Sequence, residues 1–381
     1  MLNTEHFGDL LKSYGYTFAS GVPCSFLKYL INHAINDMDY VGAANEGDAV
    51  AISAGAYLSG RKSMVLMQNS GLTNAVSPLT SLNYPFRLPV LGFVSLRGEA
   101  GLNDEPQHEL TGTVTDQMLD VCGVAHDILS SDMARATEQL IRANTIIEEN
   151  RSFFFIVRKN TFSQVDLADR KPTAFGQGGL ERSTASLQEM TRLSALEVIS
   201  GLRDEKTVCL ASTGKGGREL YEIGDVPNNL YMVGSMGCIS SLGLGLARNR
   251  SDLRVVAIDG DGALLMRMGS LATNAYYGTA NLLHILLDNN CHDSTGGQQT
   301  VSHNVDFPAI AHACGYPQSI EIHTLDELED RIRAWKRDPV LTFMHVRVKK
   351  GSKPNLGRPA ITPKAVKERL MGFIRTAGMH T

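Results

Sequence analysis

Residues 254–265 read RVVAIDGDGALL, and residues 281–290 read NLLHILLDNN. Both start as short apolar, β-rich runs and end abruptly in polar groups, two aspartates interleaved with glycines in one and two asparagines in the other. Between them Leu264, Met268, Leu271, Ala272 and Ala275 trace one face of a helix. The pattern predicts strand, helix and parallel strand. GDG at 260–262 and NN at 289–290 then sit at the carboxyl ends of successive strands, with 26 residues between them. In an open α/β sheet that edge is where ligands bind. A carboxylate and an amide oxygen brought together there make a hard-oxygen site suited to Mg²⁺, which keeps further positions for phosphate oxygens.

Rival readings of the stretch fail on spacing. An EF-hand loop begun at Asp259 would put Ala263 at its fifth position, Leu264 where the sixth must be glycine, and Ser270 at its twelfth. A G-x-G-x-x-G fingerprint started at Gly260 and Gly262 meets Leu265. An ordinary strand-to-helix turn capped by Asp261 is the simplest remaining alternative. Upstream, ASTGKGGREL (211–220) also lies where a strand meets a helix, so the amides of Ser212, Thr213 and Gly214 can cradle a diphosphate. It is no P-loop, because Lys215 is followed by glycine.

The same alternation of β-rich runs and helical segments fills the chain, which predicts an α/β protein with two doubly wound parallel-sheet domains. Candidate strands are 16–20, 39–45, 63–70, 88–96 and 152–159, then 207–212, 230–235, 254–259, 281–288 and 341–348. LADRKPTAFGQGGLERSTAS (167–186) has no apolar period and predicts a linker over 167–188, separating domains 1–166 and 189–381. Ser194 with Glu197, and Thr324 with Glu327, have capping-box spacing, and Thr362 before Pro363 starts a last helix. The formal charge of -4 gives no global field toward nucleic acid or an anionic membrane. Without an 18-residue apolar stretch or a leader-like N-terminus, a soluble cytoplasmic protein is expected. The six scattered cysteines, lacking any C-x-x-C, read as reduced core thiols.

NEGDA at 45–49, GDG at 260–262 and NN at 289–290 together resemble the signature of the thiamine diphosphate-dependent decarboxylases, with a pyrimidine domain followed by a diphosphate domain. The resemblance implies thiamine diphosphate and Mg²⁺ as cofactors. Carried over by position, it implies that Asp261, the Asn290 side chain and the His292 carbonyl hold the metal. Gly260, Gly262 and Ala263 are implied beside the diphosphate with Ser212, Thr213 and Gly214. Gly234, Ser235 and Met236 of GSMG complete the cofactor site, Met236 as the bulky residue that keeps the cofactor bent. Glu46 is implied as the carboxyl that hydrogen-bonds the aminopyrimidine ring and so promotes loss of the thiazolium C2 proton. Taken alone, Glu46 reads first as a surface helix-start glutamate favoured by the macrodipole, and it is the company of GDG and NN that favours catalysis. Glu46 of one subunit faces Asp261 of another in this family, which implies a homodimer or a higher homo-oligomer. Asp259 is no ligand in this pattern, and nothing in the sequence identifies what neutralises it.

GVPCSFLK (21–28), MQNSGLTNAVSPLTSL (67–82), DEPQH (104–108) and HDSTGGQQT (292–300) narrow the resemblance to the phosphonopyruvate and sulfopyruvate decarboxylase group, across nearly the whole chain. Thr73 stands where glycine is expected. The implied reaction is non-oxidative decarboxylation of 3-phosphonopyruvate, with sulfopyruvate or another 2-oxo acid as the alternative substrate. Both domains on one chain favour phosphonopyruvate, since sulfopyruvate enzymes are often split into two polypeptides. His292, Asp293 and His108 are candidate proton donors. Ser25, Asn69, Ser70 and Arg97, at strand ends of the first domain, are candidate contacts for a small anionic substrate. A nicotinamide-dependent oxidoreductase is disfavoured by the lack of G-x-G-x-x-G after any strand, and a non-catalytic cofactor-binding protein would not need Glu46.

Overall fold

A computed structural model describes residues 1–169 and 178–377, which form two compact units, Met1–Pro172 and Thr173–Thr381. In the first unit β1 (Phe18–Gly21), β2 (Asp39–Gly42), β3 (Ser63–Gln68), β4 (Leu91–Ser95), β5 (Ala125–Ile128) and β6 (Phe153–Val157) make a sheet in the order β2-β1-β3-β4-β6-β5. Every pairing in it is parallel. Its inner strands are buried on both faces, and alternate residues enter different cores. Met64, Leu66, Phe93 and Phe155 pack with Phe7, Leu30 and Leu140, while Val65, Met67, Val94 and Phe154 pack with Val50, Leu72 and Leu119. Such a sheet must be covered twice. Helices Thr4–Ser13, Lys28–Asp37 and Met133–Glu148 supply the first cover, and Glu46–Leu58, Asn69–Pro78 and Glu109–Val121 the second.

The second unit has β7 (Gly179–Glu181), β8 (Thr207–Ala211), β9 (Asn229–Tyr231), β10 (Arg254–Gly260), β11 (Leu282–Asp288), a small hairpin of β12 (Cys291–His292) and β13 (Gln298–Gln299), then β14 (Gln318–Ile322) and β15 (Thr342–Arg347). Its main sheet runs β7-β14-β15-β11-β10-β8-β9, again wholly parallel. From β8 the chain steps outward to β9 and then returns to the other side of β8 as β10. The strand order therefore reverses between β8 and β10, and a crevice opens outside their carboxyl ends.

Several local expectations need correction. Strand β5 was not expected, because AHDI is an edge strand with half-exposed polar residues instead of an apolar run. Strand β14 was likewise unread. The stretch expected as linker (167–188) contains β7, which pairs with β14; its residues 170–177 lie outside the described residues. The expected strand 63–70 stops at Gln68, and Asn69 and Ser70 begin a helix in which Thr73 is exposed. The helix after GDG is two helices, Asp261–Met266 and Gly269–Tyr277, so Ala272 leaves the expected face and is exposed. The capping box expected from Ser194 is set by Thr191, with Ser194 as its third residue. At Thr324 the cap forms, but the Glu327 side chain reaches the His323 amide. Thr362 accepts from Ala365 N at the start of Pro363–Ala377 as expected. All six cysteines are free thiols.

Candidate active site

The crevice between β8 and β10 is lined by Ser212, Thr213, Gly214, Lys215, Met236 and Asp259–Ala263, with Arg192, Asn289 and Cys291–Ser294. Gly214, at φ +107°, caps the helix Lys215–Ile223, a backbone that side-chain-bearing residues rarely adopt. Thr213 Oγ1 donates to Val233 O at 3.1 Å, which ties this turn to the residues leading into GSMG. Ser212 Oγ is buried without a protein partner, so the cradle offers an unspent hydroxyl. A Cβ on Gly260 would meet nothing within 4 Å, which leaves open space beside the backbone. At Gly262 a Cβ would come within 2.4 Å of the His292 ring and 3.2 Å of Met236 Cε, so glycine there lets both side chains close over the turn.

The two aspartates of IDGDG have different surroundings. Asp259 Oδ1 accepts from Gly260 N, and its Oδ2 lies 3.4 Å from His284 Nε2, both side chains being fully buried. The imidazole lies behind the carboxylate without a hydrogen bond between them. Asp261 Oδ2 accepts from Thr300 Oγ1 at 2.5 Å and contacts Ser302 Oγ at 3.2 Å. Burial raises its pKa, the negative charge of Asp288 adds to the rise, and the two hydroxyls oppose it. Among the described residues no cationic side chain pairs with it, and a buried carboxylate of that kind calls for an ion from outside the chain.

The hairpin of β12 and β13 returns Thr300 and Ser302 to Asp261, through a turn with Gly296 and Gly297 at positive φ. Asn290, at φ +55°, donates from Nδ2 to Asp288 Oδ1 (3.0 Å) and Ser302 Oγ (2.6 Å), which frees Oδ1 as an acceptor. It is Asn289 that lines the crevice directly. The His292 carbonyl accepts from Thr295 N, Thr295 Oγ1 and Gly297 N, so its expected place as a metal ligand requires those bonds to be exchanged. Asp293 is not a free acid. It accepts from Asn289, Arg192, Cys291 and Gly351 N, and although burial pushes its pKa up, the bonds from Cys291 and Arg192 hold it below the ordinary carboxylate range. Arg192, buried and also bonded twice to Glu219, was missed by sequence reasoning, as were Thr300 and Ser302. A glycine pair between polar runs was the available signal for the hairpin.

In the first unit Glu46 is the first residue of its helix, with Asn45 accepting from Gly47 N as the cap. Its Oε2 accepts from Asn74 Nδ2 at 2.8 Å, and a Cβ on Gly71 would fall 2.1 Å from Oε1, so the neighbouring helix seats directly against the carboxyl. Ser25 and Arg97 are brought together, Arg97 Nη1 donating to Ser25 Oγ at 3.1 Å. Arg97 also makes a two-point pair with Asp104, whose pKa is held well below the ordinary range by the Arg97 hydrogen bonds, against burial and with help from the Gly98 and Glu105 amides. Because the folded value is depressed, this stabilisation is present above the ordinary carboxylate pKa and lost as pH falls below it. Asp104→Asn is expected to lower the melting temperature by a few degrees at neutral pH and to flatten its fall in acid, as followed by circular dichroism. Asn69 is fully buried, and its Nδ2 donates to Arg97 O and Thr115 Oγ1. Ser70 accepts from Gln68 Nε2. His108 is buried, with Nδ1 unpartnered.

Comparison with known proteins agrees with this geometry. Residues 3–119 match the thiamine pyrophosphate enzyme N-terminal TPP binding domain and residues 218–346 the C-terminal TPP binding domain, thiamine pyrophosphate being another name for thiamine diphosphate. The chain is 38% identical to a phosphonopyruvate decarboxylase of Streptomyces viridochromogenes, over 96% of this chain and 93% of that one. It is 30% identical to a sulfopyruvate decarboxylase of Methanosarcina acetivorans, over 95% and 96%. The fold is similar to that of benzoylformate decarboxylase from Polynucleobacter necessarius, with a TM-score of 0.73 at 14% identity over 93% of this chain and 100% of that one. With two parallel α/β units, a glycine-lined crevice at the strand reversal and similarity along nearly its full length, the chain belongs to the thiamine pyrophosphate enzymes, in the group that contains the phosphonopyruvate and sulfopyruvate decarboxylases.

Proposed function

We propose that the protein catalyses the non-oxidative decarboxylation of 3-phosphonopyruvate to phosphonoacetaldehyde and CO₂ in the cytoplasm, as a step of phosphonate biosynthesis. The observation that carries the cofactor assignment is the buried Asp261 carboxylate, left without a cationic partner beside the Ser212–Gly214 cradle. Similarity to phosphonopyruvate decarboxylase over almost the whole chain supports the substrate. Asp261 and Asn290 Oδ1 hold Mg²⁺, joined by the His292 carbonyl once it is released from its turn. The Ser212 hydroxyl and the Thr213 and Gly214 amides would receive the diphosphate, with Gly260–Ala263 beside it and Gly234–Met236 flanking it. Bound thiamine diphosphate supplies an electron sink for the pair freed when the bond between the carboxylate and the ketone carbon breaks.

Glu46 hydrogen-bonds the cofactor ring, and a proton replaces CO₂ on the former ketone carbon, so that R–CO–COO⁻ and H⁺ become R–CHO and CO₂. His292, folded over Gly262, and His108 are the imidazoles assigned to proton handling. Arg97 with Ser25, and Ser70, meet the anionic group. The working unit is a homo-oligomer in which Glu46 of one subunit serves Asp261 of another. Exposed Val233 and Met266, each three residues from a crevice residue, support a covered rim. Among the described residues no helix is long and apolar enough to cross a membrane.

Protein stripped with chelator should be inactive, and should recover only with Mg²⁺ and thiamine diphosphate together. Across phosphonopyruvate, sulfopyruvate and pyruvate, kcat/KM should be at least about tenfold highest for phosphonopyruvate. A preference for sulfopyruvate would overturn the substrate, and full turnover in the stripped protein would overturn the cofactors.

A further inference from the structure

On β10, Asp259 registers opposite Leu286 of β11, which in turn registers opposite His345 of β15. Side chains alternate along a strand, so Asp259, His284, Asp288 and His345 all project from one face of the sheet. Two diagonal acid–imidazole neighbours result, Asp259 with His284, 3.4 Å apart and not hydrogen-bonded, and Asp288 with His345, which closes at 3.0 Å between Oδ2 and Nε2. Only the second pair reaches the metal-ligand candidates.

Two hydroxyl protons serve this region. Thr300 donates to Asp261 at 2.5 Å, and Ser302, whose single proton can serve one carboxylate at a time, donates to Asp288 Oδ1 at 2.9 Å. Asn290 sends both its backbone N and its Nδ2 to Asp288 Oδ1, each at 3.0 Å, and Nδ2 also to Ser302 Oγ. An asparagine side chain has one donor end and one acceptor end. With the donor end occupied by Asp288 and Ser302, the acceptor end must face away from them.

We propose that Asp288 and Ser302, with His345 fixing Asp288 from behind, are positioning residues that orient Asn290 Oδ1 and Asp261 for the divalent cation. The inference rests on the cofactor reading above and deepens it. Asp288 itself does not enter the metal shell, since its two oxygens are already engaged, Oδ1 by Asn290 and Ser302 and Oδ2 by His345. Outer partners of metal ligands typically change affinity by about 10- to 100-fold when removed.

The test is binding of thiamine diphosphate by isothermal titration calorimetry at a series of Mg²⁺ concentrations, which reads metal requirement independently of turnover. Asp288→Asn and Ser302→Ala should raise the Mg²⁺ concentration for half-maximal cofactor binding about 10- to 100-fold. Excess Mg²⁺ should restore the wild-type binding capacity. Unchanged Mg²⁺ dependence in Ser302→Ala, which removes one hydroxyl and keeps the fold, overturns the proposal even where Asp288→Asn does not fold. A wild-type protein that binds thiamine diphosphate without any dependence on Mg²⁺ would instead overturn the reading of Asp261 and Asn290 as ligands.

Discussion

Glu46→Gln is expected to fold like the wild type, to bind cofactor, and to lose roughly 10²- to 10⁴-fold in turnover. The amide keeps the shape and can still meet Asn74, which donates to the present carboxylate, so packing against Gly71 is preserved. What it loses is a carboxyl able to share a proton with the cofactor ring. The decisive measurement is exchange of the cofactor C2 proton in deuterated buffer, followed by quenching and NMR. Slow exchange with an unchanged melting curve assigns the role to Glu46, and exchange at the wild-type rate removes it.

Asp261→Ala should abolish Mg²⁺-dependent cofactor binding, a fall of more than about 100-fold in affinity by calorimetry. The substitution also deletes a buried carboxylate whose pKa is pushed up by burial and by Asp288. The metal-free variant should therefore melt no lower than the metal-free wild type. That opposite movement of affinity and stability separates a metal ligand from a structural aspartate, which would lower both. Retained Mg²⁺-dependent binding would move the ligand role elsewhere in the crevice.

Much of this architecture was legible because apolar runs of buried parallel strands are short, repeated and bounded by turn residues. RVVAIDG and NLLHILLD stood out on that ground, and the GDG edge followed from their spacing. Strand β5 escaped because its residues are half-exposed and polar, as an edge allows. The partners of the buried acids escaped for a different reason. His284 and His345 meet Asp259 and Asp288 diagonally between strands, across 25 and 57 sequence positions, where no local period connects them. A polar residue at a strand end reads the same whether it faces a ligand or holds a neighbouring loop, as Asn69 does through the Arg97 carbonyl.

One consequence follows from the three acids buried where β10 and β11 end, Asp259, Asp261 and Asp288, only two of which stand beside an imidazole. On the proposed reading the third, Asp261, takes a divalent ion, and the cofactor is then a ligand of the folded state as well as a reagent. Mg²⁺ and thiamine diphosphate together should then raise the melting temperature and slow proteolysis, quite apart from any turnover.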